Sequence, residues 1–220
     1  MLVVLAIILV VSAIVLSSQS AFNRTLTLAN TAYDIGLSIR SAETYGIGSR
    51  TASTFSNAGY GVHLASATPG SYVLFADTYP GVTATGSVCN PTPGGDPTRP
   101  DAKPGDCAYT VGSGTDAAIT TYTLNNGITI SDFCAYDSTA PGTWSCEGSA
   151  SNPLTALDIV FSRPNPTVYL SVAHGGSVAT YSQSLTEACI ALTASSNAND
   201  HRYVAITATG DIDARATSCP

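Results

Sequence analysis

Six cysteines stand at positions 89, 107, 134, 146, 189 and 219, and no Cys-x-x-Cys occurs among them. An even number of thiols spread along a chain points to disulfides formed in an oxidising compartment. Six thiols allow fifteen pairings, and sequence neighbours are the favoured ones. Cys89–Cys107 would tie off a Pro/Gly-rich loop, Cys134–Cys146 the loop from Asp137 to Trp144, and Cys189–Cys219 the C-terminal tail. Each bridge would restrict the unfolded chain by ~2–4 kcal/mol. Zinc is poorly served, because His63, His174 and His201 are not spaced as ligand pairs.

Other reactive groupings are weaker. His174-Gly175-Gly176-Ser177 and Ser182-Gln183-Ser184 read as hydrolase fragments, but the chain has no Gly-x-Ser-x-Gly elbow and no P-loop. No catalytic residue is assigned, and the chain is not expected to be an enzyme or to hold a cofactor or metal. Asp96, Asp101 and Asp106 offer carboxylates to calcium without the regular rhythm of a calcium loop, so a solvated loop is expected. His63, alone in a predicted strand, reads as a surface or edge residue. Asn23-Arg24-Thr25 matches a glycosylation acceptor but falls on a predicted helix and is taken as chance.

The elements that would position these groups begin with an apolar rod. Met1 to Leu16 is apolar apart from Ser12, and no charge precedes Arg24. As a helix this run spans about 24 Å against a hydrocarbon core of ~30 Å, and Ser17 to Ala21 extend it into an interface. The competing reading is a cleaved secretory signal, with Ser18-Gln19-Ser20 before Ala21 as the processing site, yet no basic residue leads it. Beyond it the helical pattern continues. Phe22, Leu26, Ala29, Tyr33 and Leu37 form one stripe at steps of three and four, and Leu28, Ala32, Ile35, Ile39 and Ala42 form a second. Two stripes imply burial against more than one partner. Gly46 and Gly48 supply the stop.

From residue 50 onward the pattern is one of short strands. Tyr60–Ala65 and Tyr72–Ala76 flank Pro69-Gly70-Ser71, and Ala118–Leu124 and Ile128–Phe133 flank Asn125-Asn126-Gly127, each reading as a hairpin. Leu157–Phe161 with Val168–Val172, and Ala188–Thr193 with Tyr203–Thr207, complete the set. The expected fold class is α+β: a long N-terminal α-helix (1–48) whose apolar first third spans a membrane, then a disulfide-stapled antiparallel β-sheet or sandwich head (49–220). Only 10% of the 220 residues are charged, and of the net −7 the segment 60–220 carries −8. An acidic head is a poor partner for nucleic acid, which is held by Lys and Arg.

The apolar run Leu2-Val3-Val4-Leu5-Ala6-Ile7-Ile8-Leu9-Val10, continued as a two-faced helix, resembles the N-terminal helix of type IV pilins and pseudopilins. The head is similar to the GspH/FimT branch of that family in Tyr60 to Leu64, Tyr72 to Asp77, Gly127 to Ile130, Leu157 to Pro164 and Thr209-Gly210. The family's leader, processing site and following glutamate precede the point at which this sequence starts, so Met1 is read as an internal methionine or a trimmed end. The resemblance implies a structural subunit of a type IV pilus-like or type II secretion pseudopilus filament. It would be held in the bacterial inner membrane with a periplasmic head, processed and N-methylated, and then assembled with other pilins by an ATPase and platform machinery. The residues expected to carry assembly are Leu2, Val3, Val4, Leu5, Ile7, Ile8, Leu9, Val10, Val11, Ile14, Val15, Leu16, Phe22, Leu26, Ala29, Tyr33 and Leu37. Two alternatives stand beside it. A FimT-like minor pilin for DNA uptake needs a basic C-terminal region, whereas Asp211-Ile212-Asp213-Ala214-Arg215 holds one arginine. A secreted β binding module would start after the first twenty residues.

Overall fold

The computed structural model describes residues 2–48, 58–79, 105–111, 115–140, 142–162, 167–194, 197–216 and 218–219. Helix α1 (Leu2–Ile47) precedes β1 (Gly59–Ala65), β2 (Ser71–Asp77), β3 (Ala117–Thr123), β4 (Ile128–Asp137), β5 (Trp144–Cys146) and β6 (Leu154–Phe161). Then come β7 (Val168–His174), β8 (Thr180–Tyr181), β9 (Leu185–Ala194), β10 (Asn197–Thr207) and β11 (Ile212–Ala216). One sheet has the order β3-β2-β1-β6-β7-β8 and the other β11-β10-β9-β4-β5, with antiparallel neighbours throughout.

Helix α1 lays one face against both sheets. Leu28, Ala32, Ile35, Ile39 and Ala42 share a side of a 3.6-residue helix. All five are buried in a core with Leu64, Leu157 and Phe161 of the first sheet and Ile190, Leu192 and Val204 of the second. The last turn comes closer still: a Cβ at Gly46 would lie 2.4 Å from the Phe161 carbonyl oxygen, so only glycine lets α1 rest on the end of β6.

Strand β1 is central, between β2 and β6, and its near-continuous burial shows that both faces of the first sheet are covered. In β4 a bulge near Ser131 shifts the alternation, so that Ile128 and Ile130 before it and Phe133 and Ala135 after it all reach the core. Asn126 (φ 60°) and Gly127 (φ 69°) form the tight left-handed turn that their types favour. The expected hairpin is nevertheless absent. β3 pairs with β2 while β4 pairs with β9 and β5, so this turn carries the chain from one sheet to the other. Its ends are held by the β1–β2 turn instead, with Leu124 N donating to Gly70 O (2.8 Å) and Ile130 N to Pro69 O (2.8 Å).

The expected fold class is corrected at the membrane span. Among the described residues no helix is long and apolar enough to cross a membrane. Side chains of α1 are described almost entirely in two stretches, a short one at 3–13 and a longer one at 22–47. The second carries Arg24, Asp34, Arg40 and Glu43 and spends its main apolar face on the sheets. The architecture is thus mostly antiparallel β, with a helix built into its core.

The stripe geometry gives a direct stability contrast. Ile35→Ala should lower the unfolding free energy by about 2–5 kcal/mol through lost burial and a cavity. Leu37→Ala, two residues on and exposed, should stay within about 0.5 kcal/mol. Denaturant titrations of the two variants check this.

Candidate assembly face and a strapped outer sheet

Fixing the second stripe in the core turns the first one outward. Phe22, Leu26, Tyr33 and Leu37 are 46–63% exposed, and Ala29 is half-buried beside them. Val3, Val4, Leu5, Ile7, Ile8, Leu9, Val10 and Val11 are exposed as well, in a stretch without a single charge. Leu2, Ile14, Val15 and Leu16 lie outside the residues whose side chains are described. Along the flank next to β11, a groove of about 320 Å³ runs between Tyr33, Gly36 and Leu37 on the helix and Ile212 and Ala214 on the strand. Arg40 closes one end and pairs with Glu43 at 3.2 Å, an exposed contact of little energetic weight.

The head is cross-linked on its far side. Cys134 and Cys146 face each other across β4 and β5 and are bonded, with Cα atoms 4.0 Å apart, and Cys189 is bonded to Cys219 with a Cα separation of 5.6 Å. Cys134 is also in register with Cys189, so residues 146, 134 and 189 form one row across three strands. Phe133, Ala135, Ala188 and Ile190 face the core, which places that row on the opposite face. Cys107 is disulfide-bonded too, and its expected partner Cys89 lies outside the described residues. Asp132 approaches the sulfurs of Cys134 and Cys146, but sulfurs joined in a disulfide offer no thiolate to a metal.

The outer face of the six-stranded sheet carries a feature the sequence did not announce. Residues 105–111 lie across it as a strap, packing Cys107 and Tyr109 onto Phe75 and Val160. Such a strap has no ladder partner, and three carboxylates take its amides instead. Asp77 accepts from Asp106 N (3.1 Å) and Cys107 N (2.9 Å), and Asp158 from Tyr109 N (3.1 Å). Asp116 accepts from Thr110 N (2.7 Å), and from Thr78 N (2.7 Å) and Tyr79 N (2.8 Å). The second Asp158 oxygen meets His63 Nδ1 at 2.6 Å, and the His63 ring packs on Tyr109. His63 is therefore an interior strand residue with a fixed partner, not an edge residue. Asp106 caps Ala108 N within the strap, and Asp96 and Asp101 lie outside the described residues. Oxygens occupied in this way by protein amides and an imidazole are not arranged around a cation.

The hydrolase-like fragment resolves into a turn. Ser177 donates to the His174 carbonyl (2.7 Å) and accepts from His174 N (3.2 Å), while the His174 ring contacts Asn152 O (3.1 Å). The hydroxyl is bonded to backbone and not to the imidazole, so no nucleophile–base pair exists there. In the Asp211–Arg215 segment the Arg215 side chain lies outside those described. No family model, curated protein or solved structure matches the chain.

Burial disfavours the charged forms of Asp77 and Asp116. Burial, aided by Asp116 and Asp106, pushes Asp77 well above the usual carboxylate range. Burial also raises Asp116 to about 6, against the pull of its three amide donors. Unfolded aspartates titrate near ~3.9. The native state therefore binds more protons between these values, and the stability so gained is complete below ~4 and lost as pH rises through about 6. Unfolding free energies measured from pH 4.5 to 7 should fall with rising pH, and Asp116→Asn should flatten that slope.

Proposed function

We propose that the chain is the structural subunit of a helical filament of the pilus or pseudopilus kind, assembling with copies of itself through α1. The observation that carries this reading is the division of the helix. One apolar stripe is covered by the chain's own sheets, while the stripe from Phe22 to Leu37 and the charge-free stretch 3–13 are left uncovered. Burying a large apolar side chain contributes ~1.5–3 kcal/mol, so a dozen of them shared between neighbouring helices supply ample driving force. Heads stapled by disulfides would face outward, in an oxidising environment beyond the cytoplasm.

Electron microscopy and sedimentation of the full chain test this. Wild-type protein should form ordered filaments of constant width. Leu26→Asp combined with Leu37→Asp should abolish them and leave the melting temperature within a few degrees, since both side chains are exposed in the monomer. Filaments of unchanged order from the double variant would overturn the proposal.

A further inference from the structure

The flank of α1 opposite β11 holds a different kind of cleft. About 320 Å³ of space opens between the helix and the end of β3 with its following turn, bordered by Asn30, Asp34, Tyr122, Thr123, Asn125 and Asn126. Its aromatic wall is fixed in place. Tyr122 stacks on Tyr72 with ring centres 5.0 Å apart and planes 20° from parallel, and the buried Tyr72 hydroxyl is held by Ser38 Oγ at 2.9 Å. The turn is fixed as well, by the left-handed Asn126 and Gly127 and by the bond from Leu124 to Gly70. Binding would therefore order little protein, which is the main saving available to a weak site.

The polar lining selects a chemistry. The side chains of Asn30, Thr123, Asn125 and Asn126 make no hydrogen bond within the described chain. Three amides and a hydroxyl offer donors and acceptors together, and Asp34 adds a carboxylate that only accepts. Among the described residues no lysine or arginine borders the cleft, and an anion meets Asp34 there as a repulsive charge. A quaternary ammonium would suit Asp34 and a tyrosine ring, but it accepts no hydrogen bond and would leave three amide donors unused. A neutral pyranose meets every term. Its C–H face covers an aromatic ring, and its hydroxyls both donate and accept.

We infer that this cleft is a binding site for a neutral hexopyranose. It is independent of the filament reading. Asp34 follows Tyr33 by one residue, a rotation of about 100°, so the carboxylate of the cleft lies off the apolar stripe, and Asn30, at helical spacing from Leu26 and Leu37, marks the border between the two.

Saturation-transfer NMR on the full chain tests the inference with methyl glycosides of glucose, galactose, mannose and N-acetylglucosamine, and with sodium glucuronate and tetramethylammonium chloride as charged probes. At least one neutral glycoside should receive saturation, strongest at its ring C–H protons. That signal should fall at least tenfold in Asp34→Ala and in Asn125→Ala, both exposed positions whose folding is confirmed by circular dichroism. It should persist in Leu26→Asp with Leu37→Asp, which separates the cleft from assembly. Absence of transfer to all four neutral glycosides, transfer unchanged in both cleft variants, or stronger transfer to either charged probe would overturn it.

Discussion

The rotation of α1 about its own axis governs what this molecule can present to its surroundings. Leu28, Ala32, Ile35, Ile39 and Ala42 fill the space between the sheets as one apolar face that buries no charge. Two contacts then fix the helix. The hydrogen bond between Ser38 and Tyr72 sets its angle against β2, and the Gly46 approach to Phe161 sets how close it lies to β6. Once the angle is set, every other residue has its direction assigned. Tyr33 and Leu37 must face outward beside β11, and Asp34 must face the β3 side. A helix of uniform polarity would leave that angle undetermined and the outer faces without identity.

The strap over the six-stranded sheet answers a different constraint. Covering the outer face keeps Phe75 and Val160 dry, but an irregular segment that does so brings backbone amides with it, and buried amides require acceptors. The chain uses aspartates from β2, β6 and the lead-in to β3. With 8 lysines and arginines in all, it has little cationic charge to spare, and the clamp is built from carboxylates and amides with one histidine. The elevated Asp77 and Asp116 values are the electrostatic cost of that choice. The clamp ties residues 105–111, including the bonded Cys107, to a sheet whose other face holds the helix.

Periodic features were legible in the sequence because periodicity is local. Steps of three and four identified both stripes of α1, and the turn chemistry at Asn126-Gly127 was read correctly from two residues. What that turn connects was not legible. Whether β3 and β4 pair with each other depends on β2 and β9 competing for them, and such competition leaves no local mark. The row of Cys146, Cys134 and Cys189 shows the same limit: neighbours in sequence suggested partners, while the alignment of two bridges side by side follows from β4–β9 register. The strap was missed because Asp77, Asp116 and Asp158 are scattered singly along the chain, and one aspartate in a strand carries no signature. The expected membrane span is not found: an apolar run announces low polarity, but no helix among the described residues is long and apolar enough to cross a membrane, and residues 22–47 of α1 spend their main apolar face on the sheets.

Dividing α1 among three environments has a consequence for the assembled state. The buried face holds the head; in a filament formed as proposed, the apolar stripe would meet neighbouring copies and the polar flank would stay in water. A filament formed through the stripe would repeat the polar cleft once per subunit along its length. Single contacts between a tyrosine-walled cleft and a sugar would be weak, since water competes for each hydroxyl. Repetition changes this, because a ligand tethered at one cleft meets the next at high effective concentration when their spacing matches its own repeat. Affinity for a polysaccharide or a glycosylated surface would then be far higher for the polymer than for the isolated subunit. Under that physics the order of assembly matters: recognition would strengthen as the filament grows, with no change in the structure of any one chain.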